Sequence, residues 1–300
     1  MSMNGIDISN HQASIDLGAV IDATGTQFVI CKATEGTGFV DRYCDRFYRT
    51  AQEKGVQIGF YHFARPENNS AEAEAEHFYK HNMNYFGNAI PVLDWESSGK
   101  KNVAWAKKWL DIIYQKTGVK PVIYMSESVA NAYNWKAVAN AGYGLWVAKY
   151  RDYNVDRNYD MSTCGKKPVV KWWQFYMMWQ WTSVGRLTGY SGNLDCNIFY
   201  GNKDQWQAYV KTAAVEQVGV EVEKIYGYTP QLAQLPLLRY GANCNAVKLV
   251  QLVIGAEVDG SFGPETERKL KAFEKKYGLA EDGLVDEGDW KVILDWLATV

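Results

Sequence analysis

The stretch IPVLDWESSG, residues 90–99, places two acids directly after an apolar run. A continuous apolar run is typical of a β-strand that is covered on both faces, as in a parallel sheet. Because successive side chains of a strand point to opposite faces, Asp94 and Glu96 are expected on one face, with Cα atoms roughly 6.5 Å apart, and Trp95 on the other. The stretch therefore predicts either two cooperating carboxylates or two solvated acids that cap the next helix.

Similar apolar runs recur through the first 200 residues and predict about eight strands. Helical patterns lie between several of them: Ser70 is a candidate N-cap of one helix, and Asn102 and Gly118 are candidate ends of another. This alternation predicts an α/β fold, an irregular (β/α)-barrel, because the gaps after residue 126 are less clearly helical. The apolar runs begin at Asn4, Phe28, Ile58, Ile90, Pro121, Gly144, Met177 and Leu194.

The sequence pattern changes after residue 210. Residues 211–234 have no strong period and are expected to form a linker. Residues 235–300 contain three helical segments separated by two Asp-Gly turns, with Pro264 at a helix start. The sequence therefore predicts a barrel domain over 1–210, a linker over 211–234 and a small three-helix domain over 235–300.

Composition and charge argue against several classes of protein. The 300 residues carry a net charge of -2, which is unlike a protein that binds nucleic acid by bulk charge. No window has the roughly 18 uninterrupted apolar residues of a transmembrane helix, so no membrane insertion is expected. The five scattered cysteines and four histidines have no metal-binding spacing, and neither a metal site nor a cofactor is expected. The first residues lack the basic and apolar regions of a secretory signal, which predicts synthesis in a cytoplasm.

Two further acids stand among apolar strand residues, Asp7 in GIDIS and Asp195 in NLDCN. Buried acids are unfavourable unless they are paired or functional. Together with Asp94 and Glu96, they predict one convergent cluster. Neighbouring carboxyl groups raise each other's pKa, so one can stay protonated while another is ionised. Such a cluster can protonate a glycosidic oxygen and stabilise positive charge on the sugar.

Seven motifs connect these acids to a known family. In chain order they are GIDISNHQ, FVICKATEG, GFYHFARP, PVLDWES, LWVAKY, MWQWTS and GNLDCN. Through them, residues 4 to about 200 resemble glycoside hydrolase family 25, the Chalaropsis-type lysozymes. The resemblance implies a muramidase that cleaves the β-1,4 bond between N-acetylmuramic acid and N-acetylglucosamine of peptidoglycan with retention.

By this resemblance, Glu96 is expected to be the general acid/base and Asp94 its partner. Asp94 would orient the substrate's own N-acetyl group as the nucleophile, and a direct aspartate nucleophile remains the alternative. Asp7 and Asp195 match the two remaining acids at the base of the family's pocket. Arg65 could meet substrate carboxylates. The side chains that could line the groove are Tyr61, Phe63, Arg65, Tyr124, Trp146, Tyr150 and Trp179.

Other polar residues of these motifs have structural interpretations. Lys32 and Glu35 are expected to pair with each other rather than to act on a substrate. His11 and His62 are expected to be core histidines with satisfied hydrogen bonds, because this is the more common role of a histidine in such a context.

The segment from Leu235 resembles the type 1 peptidoglycan-binding domain, through DGSFGPET and a second Asp-Gly turn. The resemblance implies a wall anchor, although Glu274 stands where this domain commonly carries glutamine. The two parts together resemble a phage endolysin, made in the host cytoplasm and acting at the bacterial cell wall after release. The alternatives are a chitinase-like glycosidase and a non-catalytic wall-binding lectin, and the sequence leaves the oligomeric state open.

Overall fold

The computed structural model describes residues 2–160, 162, 164–211 and 235–297. Contacts group the described residues into two compact units, 2–79 with 88–211 and 80–87 with 235–297. Apart from Lys211, the expected linker lies outside the described residues. No described helix is both long enough and apolar enough to cross a membrane.

All eight expected strands are present, and two short strands, β3 and β8 below, were not expected. The strands are β1 Met3–Ile8, β2 Phe28–Glu35, β3 Phe39–Val40, β4 Gln57–Phe63, β5 Ile90–Asp94, β6 Val122–Ser126, β7 Gly144–Ala148, β8 Asp156–Arg157, β9 Met178–Arg186 and β10 Leu194–Phe199. The helices up to residue 211 are α1 Leu17–Thr24, α2 Cys44–Glu53, α3 Ala71–Asn82, α4 Val103–Thr117, α5 Glu127–Ala132, α6 Lys136–Asn140 and α7 Lys203–Lys211.

The long strands close into a barrel in the order β1, β2, β4, β5, β6, β7, β9, β10 and back to β1. Neighbours from β1 to β9 are parallel, but β10 is antiparallel to both β9 and β1. The expectation of parallel strands is therefore wrong at β10. Only residues 187–193 separate β9 from β10, and a parallel crossover needs about a dozen residues or more.

The helix ends follow the sequence signals. At the start of α3, Ser70 Oγ accepts a hydrogen bond from the Ala73 amide (3.2 Å). Asn102 Oδ1 accepts one from the Trp105 amide (3.2 Å) before α4, and Gly118 ends that helix with φ +71°. After β6 the helices α5 and α6 have six and five residues. The described residues between β7 and β9 contain no α-helix, which confirms the irregular barrel.

The three expected C-terminal helices are α8 Asn245–Ile254, α9 Pro264–Tyr277 and α10 Glu287–Leu297. Pro264 is the first residue of α9, where its missing N–H is no loss. Apolar side chains of these helices, of the turns between them and of the segment before α8 form the core of the second unit. The core residues are Leu238, Ala242, Val247, Val250, Phe262, Leu270, Phe273, Val285, Trp290 and Ile293.

The first Asp-Gly turn of this unit is fixed by one buried amide, Gln251. Its Oε1 accepts a hydrogen bond from the Gly260 amide (2.8 Å), and its Nε2 donates to Asp259 Oδ1 (2.7 Å). Nε2 also contacts the carbonyl oxygen of Ser261 (2.9 Å). Both ends of the amide are therefore used, one as acceptor and one as donor.

The second Asp-Gly turn has Glu274 in the equivalent place, nine residues before Gly283 as Gln251 is nine before Gly260. Both carboxylate oxygens of Glu274 lie 3.1 Å from the Gly283 amide. A carboxylate has no N–H to donate to Asp282. Burial, together with the charge of Asp282, raises the pKa of Glu274. The second turn thus lacks the donor that completes the first.

Replacing Glu274 with glutamine is expected to stabilise the second unit by about 1 kcal/mol at neutral or higher pH. The amide would donate to Asp282 as Gln251 donates to Asp259. Because the pKa of Glu274 is raised in the folded state, its ionisation lowers stability as the pH rises between its unfolded and folded pKa values. The gain should therefore shrink in acid, at about pH 4.

Hydrogen exchange of the α9 amides in the full chain measures this stability. Glu274→Gln should slow the exchange at about pH 8, and the reciprocal variant Gln251→Glu should accelerate it. Faster exchange in Glu274→Gln than in the wild type would contradict the role assigned to this position.

Candidate active site

The four predicted acids line one pocket of about 200 Å³ in the first unit. Asp94 is the last residue of β5, and Glu96 follows two residues later. Asp7, near the end of β1, pairs directly with Asp195 near the start of β10, because these two strands are antiparallel. A larger depression of about 680 Å³ lies between α1 and α2 and shares no lining residue with this pocket. The lining residues of the pocket are Asp7, Tyr61, Asp94, Glu96, Tyr124, Trp146, Tyr150, Gln180 and Asp195.

Trp95 separates the two acids of the opening stretch, as the strand pattern predicts. It is fully buried, its Nε1 donates to the Lys100 carbonyl (2.8 Å), and its ring lies 5.4 Å from that of Trp105. Asp94 is only 7% exposed, whereas Glu96 is exposed. Asp94 Oδ1 is buried and has no hydrogen-bond partner among the described residues. Glu96 is therefore the accessible acid, and Asp94 offers a buried oxygen.

Asp7 is held by two amide side chains. Its Oδ2 accepts hydrogen bonds from Gln180 Nε2 (2.8 Å) and Asn197 Nδ2 (2.6 Å). Trp146 Nε1, which can only donate, donates to Asn197 Oδ1 (2.9 Å), so the amino group of Asn197 must face Asp7. The acid is therefore presented with a fixed orientation.

The second amide connects Asp7 to the aromatic wall of the pocket. Gln180 Oε1 accepts a hydrogen bond from the Tyr124 hydroxyl (2.6 Å) and another from the Tyr150 hydroxyl. Burial raises the pKa of both tyrosines, so both hydroxyls remain protonated donors at neutral pH. Both tyrosine hydroxyls therefore donate to Gln180, and Gln180 in turn donates to Asp7.

Burial raises the pKa of the two acids on β1 and β10. The pKa of Asp7 rises to about 7, although the amides of Asn197 and Gln180 lower it, and the charge of Glu96 adds to the rise. The pKa of Asp195 rises to about 9, because burial is reinforced by the charges of Asp7 and Glu96. Protonated and ionised carboxyl groups therefore coexist in the pocket near neutral pH.

The acids of the opening stretch have raised pKa values as well. Burial, and next the charge of Glu96, holds the pKa of Asp94 well above its usual range. Partial loss of hydration raises the pKa of Glu96, and the charges of Lys100 and Lys32 oppose that rise. A raised pKa favours the protonated form of an accessible carboxylic acid, which is the form that a general acid needs.

A charged cluster lies beside Glu96, outside the pocket wall. Lys32 Nζ and Arg65 Nη2 each contact Glu35, at 2.6 Å, which confirms the expected Lys32–Glu35 pair. Both cations also lie over the Phe63 ring, at 5.1 and 4.5 Å from its centroid. Phe63 and Arg65 are therefore near the acids but are not among the residues that line the pocket.

Trp179 is placed differently from the expectation that it could line the groove. It is fully buried, and its Nε1 donates to the Lys149 carbonyl (2.9 Å). Gln180, its neighbour on β9, faces the pocket, so the alternation of a strand turns Trp179 away from it. Trp179 therefore contributes to packing and hydrogen bonding rather than to the pocket wall.

The two motif histidines have different surroundings. His62 is a core residue, as expected, with Nδ1 bonded to Thr34 Oγ1 (2.7 Å) and Nε2 to Glu74 Oε2 (2.8 Å). His11 lies in a short 3-10 turn and is exposed, so its assignment to the core is wrong. The sequence around each histidine did not show which of the two is buried and which is exposed.

Gln180 and Asn197 were not identified from the sequence, although both stand in quoted motifs. Each is a buried amide within an apolar strand, MMWQWTS and LDCNIFY. A buried amide needs partners for its donor and acceptor atoms. The buried amides therefore indicate that a partner exists, but not which one, because Asp7 lies more than 170 residues away along the chain.

Replacing Gln180 with methionine, which has a similar volume, is expected to reduce kcat about tenfold or more, because Asp7 loses one of its two orienting amides. The pKa of Asp7 should rise, since the N–H that stabilises its carboxylate is absent. The limb of the pH–rate profile that reports Asp7 ionisation should therefore move to higher pH. Gln174→Met, at an exposed position, is the control, and an unmoved profile in Gln180→Met would contradict this role.

Comparisons with known proteins agree with this geometry. The model of glycosyl hydrolases family 25 matches residues 6–190, and a model of a peptidoglycan binding domain matches residues 231–293. The uncharacterized protein YegX of Escherichia coli O157:H7 is 33% identical over 217 residues, covering 70% of this chain and 74% of its own. Lysozyme M1 of Streptomyces globisporus is 29% identical over 227 residues, covering 71% and 72%. A bacterial lysozyme structure from Streptomyces coelicolor has 28% identity and a TM-score of 0.60, covering 71% of this chain and 98% of that one.

The family match spans more than half of the chain and includes the whole run of barrel strands from β2 to β9. It contains Asp7, Asp94 and Glu96, and Asp195 follows shortly after it. The pocket acids and the barrel thus occur together where the match lies. The chain belongs to glycosyl hydrolases family 25.

Proposed function

We propose that this protein is an N-acetylmuramidase that hydrolyses the β-1,4 bond between N-acetylmuramic acid and N-acetylglucosamine in bacterial peptidoglycan. The observation that carries the proposal is the single pocket in which four carboxyl groups with raised pKa values meet. The name of Lysozyme M1 and the match to a peptidoglycan binding domain support the same polymer as substrate. Neither a nucleic acid nor a membrane is part of the proposal.

Glu96 acts as the general acid and then as the base. It is exposed, so a glycosidic oxygen can reach it, and partial loss of hydration raises its pKa, which favours the protonated form that a general acid needs. After protonating the leaving sugar, the same carboxylate accepts a proton from the incoming water, as the two steps of a retaining hydrolysis require.

Asp94 orients the substrate's acetamido group, whose oxygen attacks the anomeric carbon as the glycosidic bond breaks. Water then opens the resulting intermediate from the opposite face, so the configuration is retained overall. Its buried Oδ1 has no protein partner in the described part of the chain and can accept the acetamido N–H. Accepting that bond increases the electron density on the acetamido oxygen and stabilises the oxazolinium-like intermediate. Direct nucleophilic attack by another aspartate of the pocket is the alternative.

Asp7 and Asp195 adjust the pKa values of the other acids in the pocket. Asp7 and Asp195 pair in register across β1 and β10, and the charge of Glu96 raises the pKa of each. The substrate contacts the wall formed by Tyr61, Tyr124, Trp146 and Tyr150. Phe63 and Arg65 meet the sugar or its peptide carboxylates next to the pocket.

The C-terminal part anchors the enzyme to the wall. We assign the catalytic domain to residues 1–210, the linker to 211–234 and the wall-binding domain to 235–300. This arrangement suits an endolysin that is made in a host cytoplasm and acts at the cell wall after release. No metal or cofactor takes part in the proposed reaction.

The test compares two purified polymers as substrates. The wild-type chain should release reducing ends from peptidoglycan and few from chitin oligomers. Greater release from chitin oligomers would favour a chitinase-like glycosidase. Binding to peptidoglycan without the release of reducing ends from either polymer would favour a wall-binding lectin.

A further inference from the structure

The connection between β7 and β9 carries a basic and apolar surface that the catalytic pocket does not use. Residues 164–177 contain three lysines and no acid, in a chain with a net charge of -2. Two of its apolar side chains are 74% exposed. In the described part of the chain, none of the three lysines forms an ion pair. We name this surface the lysine–aromatic strip, formed by Lys166, Lys167, Val169, Lys171, Phe175 and Tyr200.

The backbone of the strip is held by side chains that flank it. Asn131 bonds to it twice, donating to the Val169 carbonyl (2.8 Å) and accepting from the Lys171 amide (3.0 Å). Glu127 accepts from the Val169 amide (2.7 Å). Trp172 Nε1 donates to the Tyr133 carbonyl (2.7 Å). A fixed backbone lowers the entropy that is lost when the exposed side chains bind a partner.

Positive charges and ring faces lie next to each other along the strip. Lys167 Nζ is 5.8 Å from the centroid of the Tyr200 ring, which contacts the ring of Tyr176 at 5.4 Å. Lys171 Nζ is 4.8 Å from the centroid of Trp172. Single exposed apolar residues are ordinary, but here they alternate with cations. This pattern matches a polymer that alternates apolar faces with negative charges.

The number of charges narrows the class of partner. Nucleic-acid binding commonly uses about six to ten phosphate contacts, and polybasic membrane sites about four to eight cations. Three lysines are too few for either. A peptidoglycan strand needs fewer charges, because its sugar rings offer apolar faces and its stem peptides offer spaced carboxylates. The polymer also repeats the same unit many times. A weak contact at the strip can therefore strengthen binding once another part of the chain is bound, because the local concentration of the polymer is then high.

We propose that the lysine–aromatic strip binds a segment of peptidoglycan outside the catalytic pocket, with its lysines on stem-peptide carboxylates and its rings on sugar faces. This inference rests on the proposed function, which supplies the polymer. The strip then adds a second contact for the catalytic unit on the insoluble wall. It has no part in the bond-breaking step, so short soluble fragments do not require it.

The test measures binding of the full chain to purified sacculi, with Glu96→Gln present so that the polymer is not degraded. The sacculi are stripped of teichoic acid with hydrofluoric acid. Replacing Lys166, Lys167 and Lys171 together with glutamine is expected to raise the half-saturation concentration about tenfold at low salt, and less at high salt. The matched control replaces Lys54, Lys108 and Lys116, three exposed lysines paired with surface acids, and should change binding little.

Phe175→Ala separates the apolar contact from the charges. The side chain is 74% exposed, so its removal leaves the fold intact. The variant is expected to weaken binding about threefold or more, to a similar extent at low and high salt, because salt does not screen an apolar contact. With Glu96 restored, both strip variants should hydrolyse short soluble fragments at the wild-type rate.

Equal affinity of the strip variant and the control variant for stripped sacculi would overturn the proposal. A loss of affinity seen only on untreated walls would also overturn it, and would assign the strip to teichoic acid instead. Strip-dependent binding in a chain whose wild type releases no reducing ends would support the strip while the proposed function fails.

Discussion

Replacing Glu96 with glutamine is expected to reduce kcat/KM on peptidoglycan by about 10²–10⁴-fold, the range typical of a lost general acid/base. Glu96 is the exposed carboxyl group of the pocket, and its pKa is raised by partial loss of hydration. Glutamine keeps the shape of the side chain but has no acidic proton to transfer. The fold should persist, because Glu96 follows β5 and is not part of the buried core.

The measurement is the initial rate of reducing-end release, together with circular dichroism to confirm the fold. Glu76→Gln is the matched control, since it removes an exposed glutamate that forms an ion pair with Lys116 on the surface. It should retain the wild-type rate. If Glu96→Gln clears cell walls as fast as this control, another group performs the proton transfer.

Asp94→Asn is expected to reduce kcat by about 10²-fold or more with a smaller change in KM, because the lost interaction develops chiefly in the transition state. Asp94 is 7% exposed, and the partnerless Oδ1 faces no protein donor in the described residues. Asparagine preserves volume and can still accept one hydrogen bond. Unlike a carboxyl group, it has no ionised form that can stabilise a developing oxazolinium-like intermediate.

Steady-state kinetics on a defined soluble glycan fragment separate kcat from KM. Asp204→Asn, at an exposed position on α7, is the control and should behave as the wild type. An unchanged kcat in Asp94→Asn would remove Asp94 from the reaction. A large rise in KM with kcat preserved would limit it to binding the ground state.

The barrel could be predicted because its strands are unusually clear in the sequence. Continuous apolar runs mark strands that are buried on both faces, and all eight occur where they were expected. The direction of β10 was not predicted, although the short gap before it carries the information. The seven positions 187–193 cannot hold a crossover helix, so the length of a connection decides the direction where the apolar pattern does not.

The acids of the site could be predicted, but the residues that hold them could not. Asp7 and Asp195 were recognised because a carboxyl group in an apolar strand demands an explanation. Gln180 and Asn197 carry the same signal more weakly, and only the closed barrel brings them to Asp7. Trp179 was expected in the pocket but does not line it. The motif marks the end of the strand, whereas the alternation of side chains decides which residue reaches the pocket.

The identity of the cleaved bond is the central claim, and the new reducing end reports it directly. Purified peptidoglycan is digested with the wild-type chain, reduced with borohydride and separated for mass spectrometry. A muramidase leaves reduced N-acetylmuramic acid at the ends of the products, and this is the expected result. Products that end in reduced N-acetylglucosamine would contradict the proposal and identify a glucosaminidase.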